Sequence, residues 1–341
     1  MSKSKVLLIG MGGVGTIAAY ALEYGGKAEV TAVLRSDYDL LKEKGFEINS
    51  VDYGHIPVFR PTNIVKSIGE ANEKFGPFDY AVFTTKCIPD VNPIEPLIKE
   101  AYVKGKTSIV LLQNGFGIEN DTLEDIPEAT VISGVTMISS TLYHGVVQHV
   151  GEDLLKFGLF NTKASNAAEQ KALCEKFVEL YSNDKNQCSY DDDVKFTRWR
   201  KLVYNATLNS TCAITNLDTG RIELFGGNGT IIKPAMAEVI AIAKSDGVDL
   251  PAGIDDFMIR SDDPNYYAPS MLVDLRKGNF IEYQVILGNA LKVAKKNNVP
   301  TPTLTVLYNL LHLIQMRTME EHKKFELPEV RPSPDYKIEF K

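Results

Sequence analysis

The sequence predicts an α/β protein in two parts. A doubly wound parallel sheet is expected over residues 1–190, an all-α domain over 191–325 and an extended tail over 326–341. Three observations support this. At 341 residues the chain exceeds a single ordinary core and suits two domains. Strand-like runs alternate with helical stretches in the first half, and beyond about Ser189 the apolar residues follow helical spacing alone. The composition, 44% hydrophobic and 24% charged, is that of a soluble globular protein. A net charge of -7 argues against a broad nucleic-acid or anionic-membrane surface, the basic run Lys195, Arg198, Arg200, Lys201 being a local exception.

The first element is the buried-strand run KVLLI, followed by GMGGVG and an Ala-rich helical pattern. Gly10, Gly12 and Gly15 stand in G-x-G-x-x-G register. Gly10 would allow a tight turn, Gly12 a close backbone approach to a pyrophosphate, and Gly15 close packing of helix on strand. The helix N-terminus would then offer N–H groups and partial positive charge to phosphates. A strand, glycine loop and helix at the start of the chain predict a Rossmann-type dinucleotide site made by Gly10, Met11, Gly12, Gly13, Val14 and Gly15. The second strand, AEVTAVLRSD, ends in Arg35 and Ser36, a cation and a hydroxyl suited to a 2′-phosphate, so NADP is expected over NAD. Asp37 is either a displaced ribose acid or the N-cap of the next helix.

Further strand-like runs are DYAVFTT, TSIVLLQNG, TVISGV, VVQHV and LKFGLF. Lys86 follows the first and Asn114 ends the second. Ligands of parallel sheets bind beyond the C-terminal strand ends, which favours both residues, although Asn114-Gly115 is also a strong turn signal. The MSKSK start precedes only four apolar residues, too few for a signal peptide or membrane span, and a cytoplasmic protein is expected. Four scattered cysteines predict neither a disulfide framework nor a structural metal.

After a polar connector at Tyr190 to Asp193, the second domain opens with KFTRWRKLVYNATLNSTCAI. Lys201, Asn205 and Asn209 recur at four-residue spacing, which on an α-helix sets them in one stripe able to converge on a small polar molecule. A solvated face would carry the same residues. Later, SMLVDLRKGNFIEYQ sets Ser270 and Asp274 on one helical face. Gly278-Asn279 then breaks the helix, and Glu282 opens the next, where an acid also suits the helix N-terminus.

In their order along the chain, GMGGVG, TTK at Lys86, LLQNGFG, HGVVQHVGE, W-x-K-x-x-x-N-x-x-x-N from Trp199 to Asn209, SMLVDLRKGNFIEYQVILG and NNVPTPTLTVLYNLL resemble the ketopantoate reductases (2-dehydropantoate 2-reductases). The likeness covers roughly residues 5 to 315. It implies NADPH-dependent reduction of 2-dehydropantoate to pantoate in pantothenate biosynthesis. Lys201 would be the catalytic acid, and Glu282 would sit near substrate and nicotinamide. Asn205, Asn209 and Ser270 would be substrate ligands, with Lys86 and Asn114 beside the nicotinamide half. Three departures stand out: Gln284 replaces the acid of the usual E-x-D, HVGEDLLKFG lacks a second glycine, and Thr219 stands where a bacterial member has a substrate-binding asparagine.

Reducing a 2-oxo acid needs hydride at the carbonyl carbon and a proton at its oxygen, and a lysine serves as both electrophile and proton donor. The expected partner is a small 2-oxo acid, with no metal, nucleic acid or membrane, and the protein is a possible homodimer. Two alternatives stand beside this: reduction of a different 2-oxo acid, which Gln284 and Thr219 permit, and a redox-sensing protein that binds NADP without turnover.

Overall fold

The computed structural model of the chain describes residues 2–34, 37–160, 166–333 and 338. Two compact units divide it: residues 1–87 with 93–197, and residues 88–92 with 198–341.

The first unit begins with β1 (Ser4–Ile9), α1 (Gly13–Tyr24), β2 (Ala28–Val33), α2 (Tyr38–Lys44), β3 (Phe46–Ser50), β4 (Gly54–Phe59) and β5 (Asn63–Val65). It continues with α3 (Ile68–Phe75), β6 (Tyr80–Phe83), α4 (Glu95–Ala101), β7 (Ser108–Leu111), α5 (Ile118–Asp125) and β8 (Val131–Thr136). The last elements are β9 (Ser139–Tyr143), β10 (Val146–Gly151), β11 (Leu154–Leu159), α6 (Ala167–Tyr181) and β12 (Gln187–Tyr190). The main sheet runs β12-β11-β8-β7-β6-β1-β2-β5. From β5 through β8 every pair is parallel, in the doubly wound order whose direction reverses between β1 and β6. The fully buried runs Val6–Leu8 and Ala81–Phe83 explain why these strands read as continuous apolar segments.

Two parts of this unit depart from the sequence reading. VVQHV is no strand of the parallel sheet. As β10 it joins β3, β4 and β9 in a second four-stranded sheet, and β3 and β4 form a hairpin the sequence did not disclose. The main sheet is also not wholly parallel, because β11 pairs antiparallel with β8. The second sheet covers α1: Tyr20 of α1 meets Tyr53 and Phe59 edge-on, with ring centroids 4.9 and 5.2 Å apart. A helix buried on two sides needs small residues, which is why α1 is rich in buried alanine.

α7 (Val194–Tyr204) carries the chain from the first unit's last residues into the second. The units therefore part between Thr197 and Arg198, whereas the sequence pattern changes at residue 190. The second unit continues with a π-turn at Asn205–Asn209, then α8 (Ser210–Thr215), α9 (Thr219–Leu224), α10 (Lys233–Ser245) and α11 (Ile254–Arg260). α12 (Ser270–Arg276), α13 (Asn289–Lys296) and α14 (Pro302–Glu321) complete it. Fully buried Trp199 donates its indole N–H to Asp246 at 3.0 Å, and Glu238 accepts the Thr303 and Leu304 N–H groups that open α14, both at 2.8 Å. Residues 326–333 carry no helix or strand and are mostly exposed. Among the described residues no helix is long and apolar enough to cross a membrane.

Candidate active site

In the first unit the glycine loop lies at the C-terminal end of β1, beside the point where the strand order reverses. Gly10 adopts φ +102°, a left-handed conformation that favours glycine, and a Cβ there would lie 2.9 Å from the Thr85 backbone nitrogen. A Cβ on Gly15 would overlap the Gly10 carbonyl, which is the close approach of helix to strand that the spacing predicts. At Gly12 a Cβ would meet nothing within 4 Å, so this face of the loop is open. Gly13 has a role the motif does not state: a Cβ there would overlap the Ser140 backbone of β9. Only the Gly-Gly pair hinted at it.

No side chain caps α1 and no acid occupies its first turn. Its opening N–H groups and the positive end of its dipole suit a phosphate, so these residues fit the expected dinucleotide. Met11 and Gly15 are buried, whereas Gly13 and Val14 are half-buried.

Side chains stitch this loop to its neighbours. The Thr84 hydroxyl donates to the Gly10 carbonyl at 2.5 Å, and Gln113 Nε2 donates to the Thr85 carbonyl at 2.9 Å. The segments after β1, β6 and β7 are thus tied together, and they carry the glycine loop, exposed Lys86 and half-buried Asn114. Thr84 and Gln113 were not singled out from sequence, although Gln113 directly precedes Asn114 and Thr84 stands two residues before Lys86. Asp37 is the N-cap of α2 through its backbone, its carbonyl accepting from Leu41 at 2.9 Å without a side-chain cap. Arg35 and Ser36 lie outside the described residues.

In the second unit, half-buried Lys201 is on α7, but the expected single α-stripe does not continue to Asn209. The π-turn interposes a wider turn. Within it the Thr207 hydroxyl donates to the Val203 carbonyl at 2.6 Å, and just beyond it the Ser210 hydroxyl donates to the Asn205 carbonyl at 3.3 Å. Such side-chain competition for helix carbonyls accompanies distorted helix. Asn205 and Asn209 are both buried rather than on a solvated face.

Asn209 is built into its surroundings. Its Nδ2 donates to Ser270 Oγ at 3.2 Å, and its Oδ1 accepts the Met271 N–H at 2.9 Å. It thereby caps α12, whose N-cap residue, Pro269, has no side chain to do so. Ser270 is exposed while Asp274, on the same helix, is buried. Gly278, at φ +71°, ends α12, and its successor Asn279 donates to the Asp274 carbonyl at 2.9 Å. Glu282 is buried and opens the next helix through its carbonyl, which accepts from Ile286 at 3.1 Å. The preceding N–H, of Ile281, donates to fully buried Gln315 of α14 at 3.0 Å. Gln315 thus fixes the approach to Glu282, a role its place in an apolar helix did not disclose.

Residues 6–162 match the family model described as ketopantoate reductase PanE/ApbA, and residues 193–315 match its C-terminal model. The chain belongs to the ketopantoate reductase family. It is therefore placed among oxidoreductases. It is 38% identical to an uncharacterized protein of Saccharomyces cerevisiae, over 93% of this chain and 95% of that one. The crystal structure of 2-dehydropantoate 2-reductase from Methylococcus capsulatus is 30% identical, with a TM-score of 0.76 over 92% of this chain and 97% of that one. A D-mandelate dehydrogenase solved with NADH and anilino(oxo)acetate shares the fold at 21% identity, with a TM-score of 0.79 over 92% of this chain and 99% of that one.

Proposed function

We propose that the protein reduces 2-dehydropantoate to pantoate with NADPH. The observation that carries this reading is the hydrogen bond from Asn209 to Ser270. It ties two of the expected oxo-acid ligands together, and Asn209 belongs to the same helical run as Lys201. Neutral hydrogen-bond donors at Asn205, Asn209 and Ser270 suit a carboxylate and a hydroxyl of the substrate. NADPH, when bound, supplies the hydride to the 2-oxo carbon. Gly10 to Gly15, with Lys86 and Asn114, hold the cofactor in this reading, and Arg35 selects its 2′-phosphate. Lys201 then stabilises negative charge developing on the carbonyl oxygen and gives it a proton. Glu282 orients Lys201 and receives the substrate hydroxyl.

A second reading, reduction of another 2-oxo acid, is favoured by one observation. Thr219, where a substrate-binding asparagine is expected, directs its N–H and its hydroxyl to the Tyr267 carbonyl at 3.0 and 3.3 Å. NADPH oxidation followed by absorbance across a panel of 2-oxo acids tests both readings. Ketopantoate giving the highest kcat/KM supports the first, another acid the second, and turnover of none would refute both.

A further inference from the structure

We infer that Tyr204 is a positioning residue for Asn209 and Ser270, acting through Asp262; this rests on the proposed oxo-acid site. Tyr204 is the last residue of α7, directly before the π-turn that carries Asn205 and Asn209. Its hydroxyl donates to Asp262 Oδ2 at 2.5 Å. Asp262 lies near the start of the connection from α11 to α12, which leads into Ser270, the first residue of α12.

Tyr204 and Asn209 therefore grip the two ends of one segment. Tyr204 holds the start at Asp262, and Asn209 holds the finish at Ser270 and Met271. Between them the Thr219 N–H and hydroxyl both reach the Tyr267 carbonyl. The Tyr266 ring lies on Gly220, where a Cβ would come within 2.7 Å of it, and the Arg221 guanidinium stands 5.1 Å over that ring. Residues 262–271 are thus held against α9 and the end of α7 by side chains, with no helix or strand of their own before Ser270.

The phenol–carboxylate bond is the strongest of these ties in kind, since its acceptor is ionisable and half-buried. Burial also raises both the Tyr204 phenol and the Asp262 carboxyl above their ordinary ranges. Losing the phenol hydroxyl leaves Asp262 with the Thr219 hydroxyl alone and loosens the start of the segment. A small displacement of Ser270 then weakens its hydrogen bond to the substrate without touching the cofactor loop.

Tyr204→Phe tests this, read by amide hydrogen exchange of the 262–271 peptide and by steady-state kinetics with NADPH and ketopantoate. The expected result is roughly tenfold faster exchange in that peptide, and an oxo-acid KM raised about tenfold, the equivalent of one such hydrogen bond. kcat and NADPH affinity should stay near wild type, the pattern of lost substrate binding. Asp262→Asn, which still offers an acceptor to the hydroxyl, should change both readouts less. Unchanged exchange in Tyr204→Phe overturns the tether whatever the activity. Faster exchange with an unchanged KM in an active enzyme overturns the link to substrate. A wild-type protein inactive on every 2-oxo acid defeats the proposed function first, and the positioning role with it, while faster exchange would still show the tether.

Discussion

Asn209 Oδ1 accepts the Met271 N–H at 2.9 Å, so a residue expected as a substrate ligand also caps the helix that presents Ser270. Its two functions can be separated. Asn209→Asp keeps an acceptor for Met271 but removes the amide donor to Ser270. It should retain a Tm close to wild type and show a raised KM for the oxo acid. Asn209→Ala loses the cap as well, which costs about 1 kcal/mol of stability. Thermal unfolding with oxo-acid kinetics on both variants checks this, and an Asp variant with wild-type KM would return Asn209 to a purely structural role.

Lys201 separates an enzyme from a binding protein. Lys201→Ala should lose on the order of 10²–10⁴-fold in kcat, the range of a positioned proton donor, with NADPH affinity retained. Lys201→Arg keeps charge without a compact ammonium and should be severely impaired if proton transfer matters. An arginine variant that recovers most activity would restrict Lys201 to attracting the carboxylate.

In the proposed reading, cofactor choice turns on Arg35. Arg35→Ala should weaken NADPH binding by roughly 1.5–3 kcal/mol, a charge-assisted hydrogen bond, and leave NADH nearly unchanged. Titration calorimetry with each cofactor gives the comparison. Equal losses would remove the 2′-phosphate from the account.

Asp153 sets a pH dependence of stability. Buried, and hydrogen-bonded by Tyr181 at 2.9 Å, its carboxyl is pushed up by burial from an ordinary 3.8 to about 6. The folded protein therefore binds a proton at Asp153 more tightly than the unfolded chain does. That contribution is full below about pH 4 and is lost as pH rises through about 6. The Tm difference between wild type and Asp153→Asn should move in favour of wild type as pH falls through 6, and level off near 4. A difference that stays flat across this window would contradict the burial argument.

The first unit's central strands and glycine loop were legible because their signals are local. Strand, turn glycines and helix are neighbours in sequence, and Gly15 answers to the Gly10 carbonyl five residues before it. The second sheet was not legible, because β3 and β10 pair across a long interval and their half-exposed strands carry weak apolar alternation. In the second unit, Lys201, Asn205 and Asn209 stood out by spacing, yet the π-turn that redirects Asn209 depends on how Thr207 and Ser210 use their hydroxyls. Gln315 and Tyr204 went unnoticed for a related reason: each acts on a distant segment, at Ile281 and Asp262.

The contact of Gly13 with Ser140 has a consequence for how the protein is made. The glycine loop is synthesised before the backbone it packs against, which follows more than a hundred residues later. Until β9 is in place, α1 can pack on the main sheet and bring Tyr20 against Tyr53 and Phe59, but its Gly13 end lacks the Ser140 backbone. Long-range closure of this kind is slow relative to local helix formation. The glycine loop thus takes its turn and helix from local contacts and its β9 neighbour from a late, long-range one.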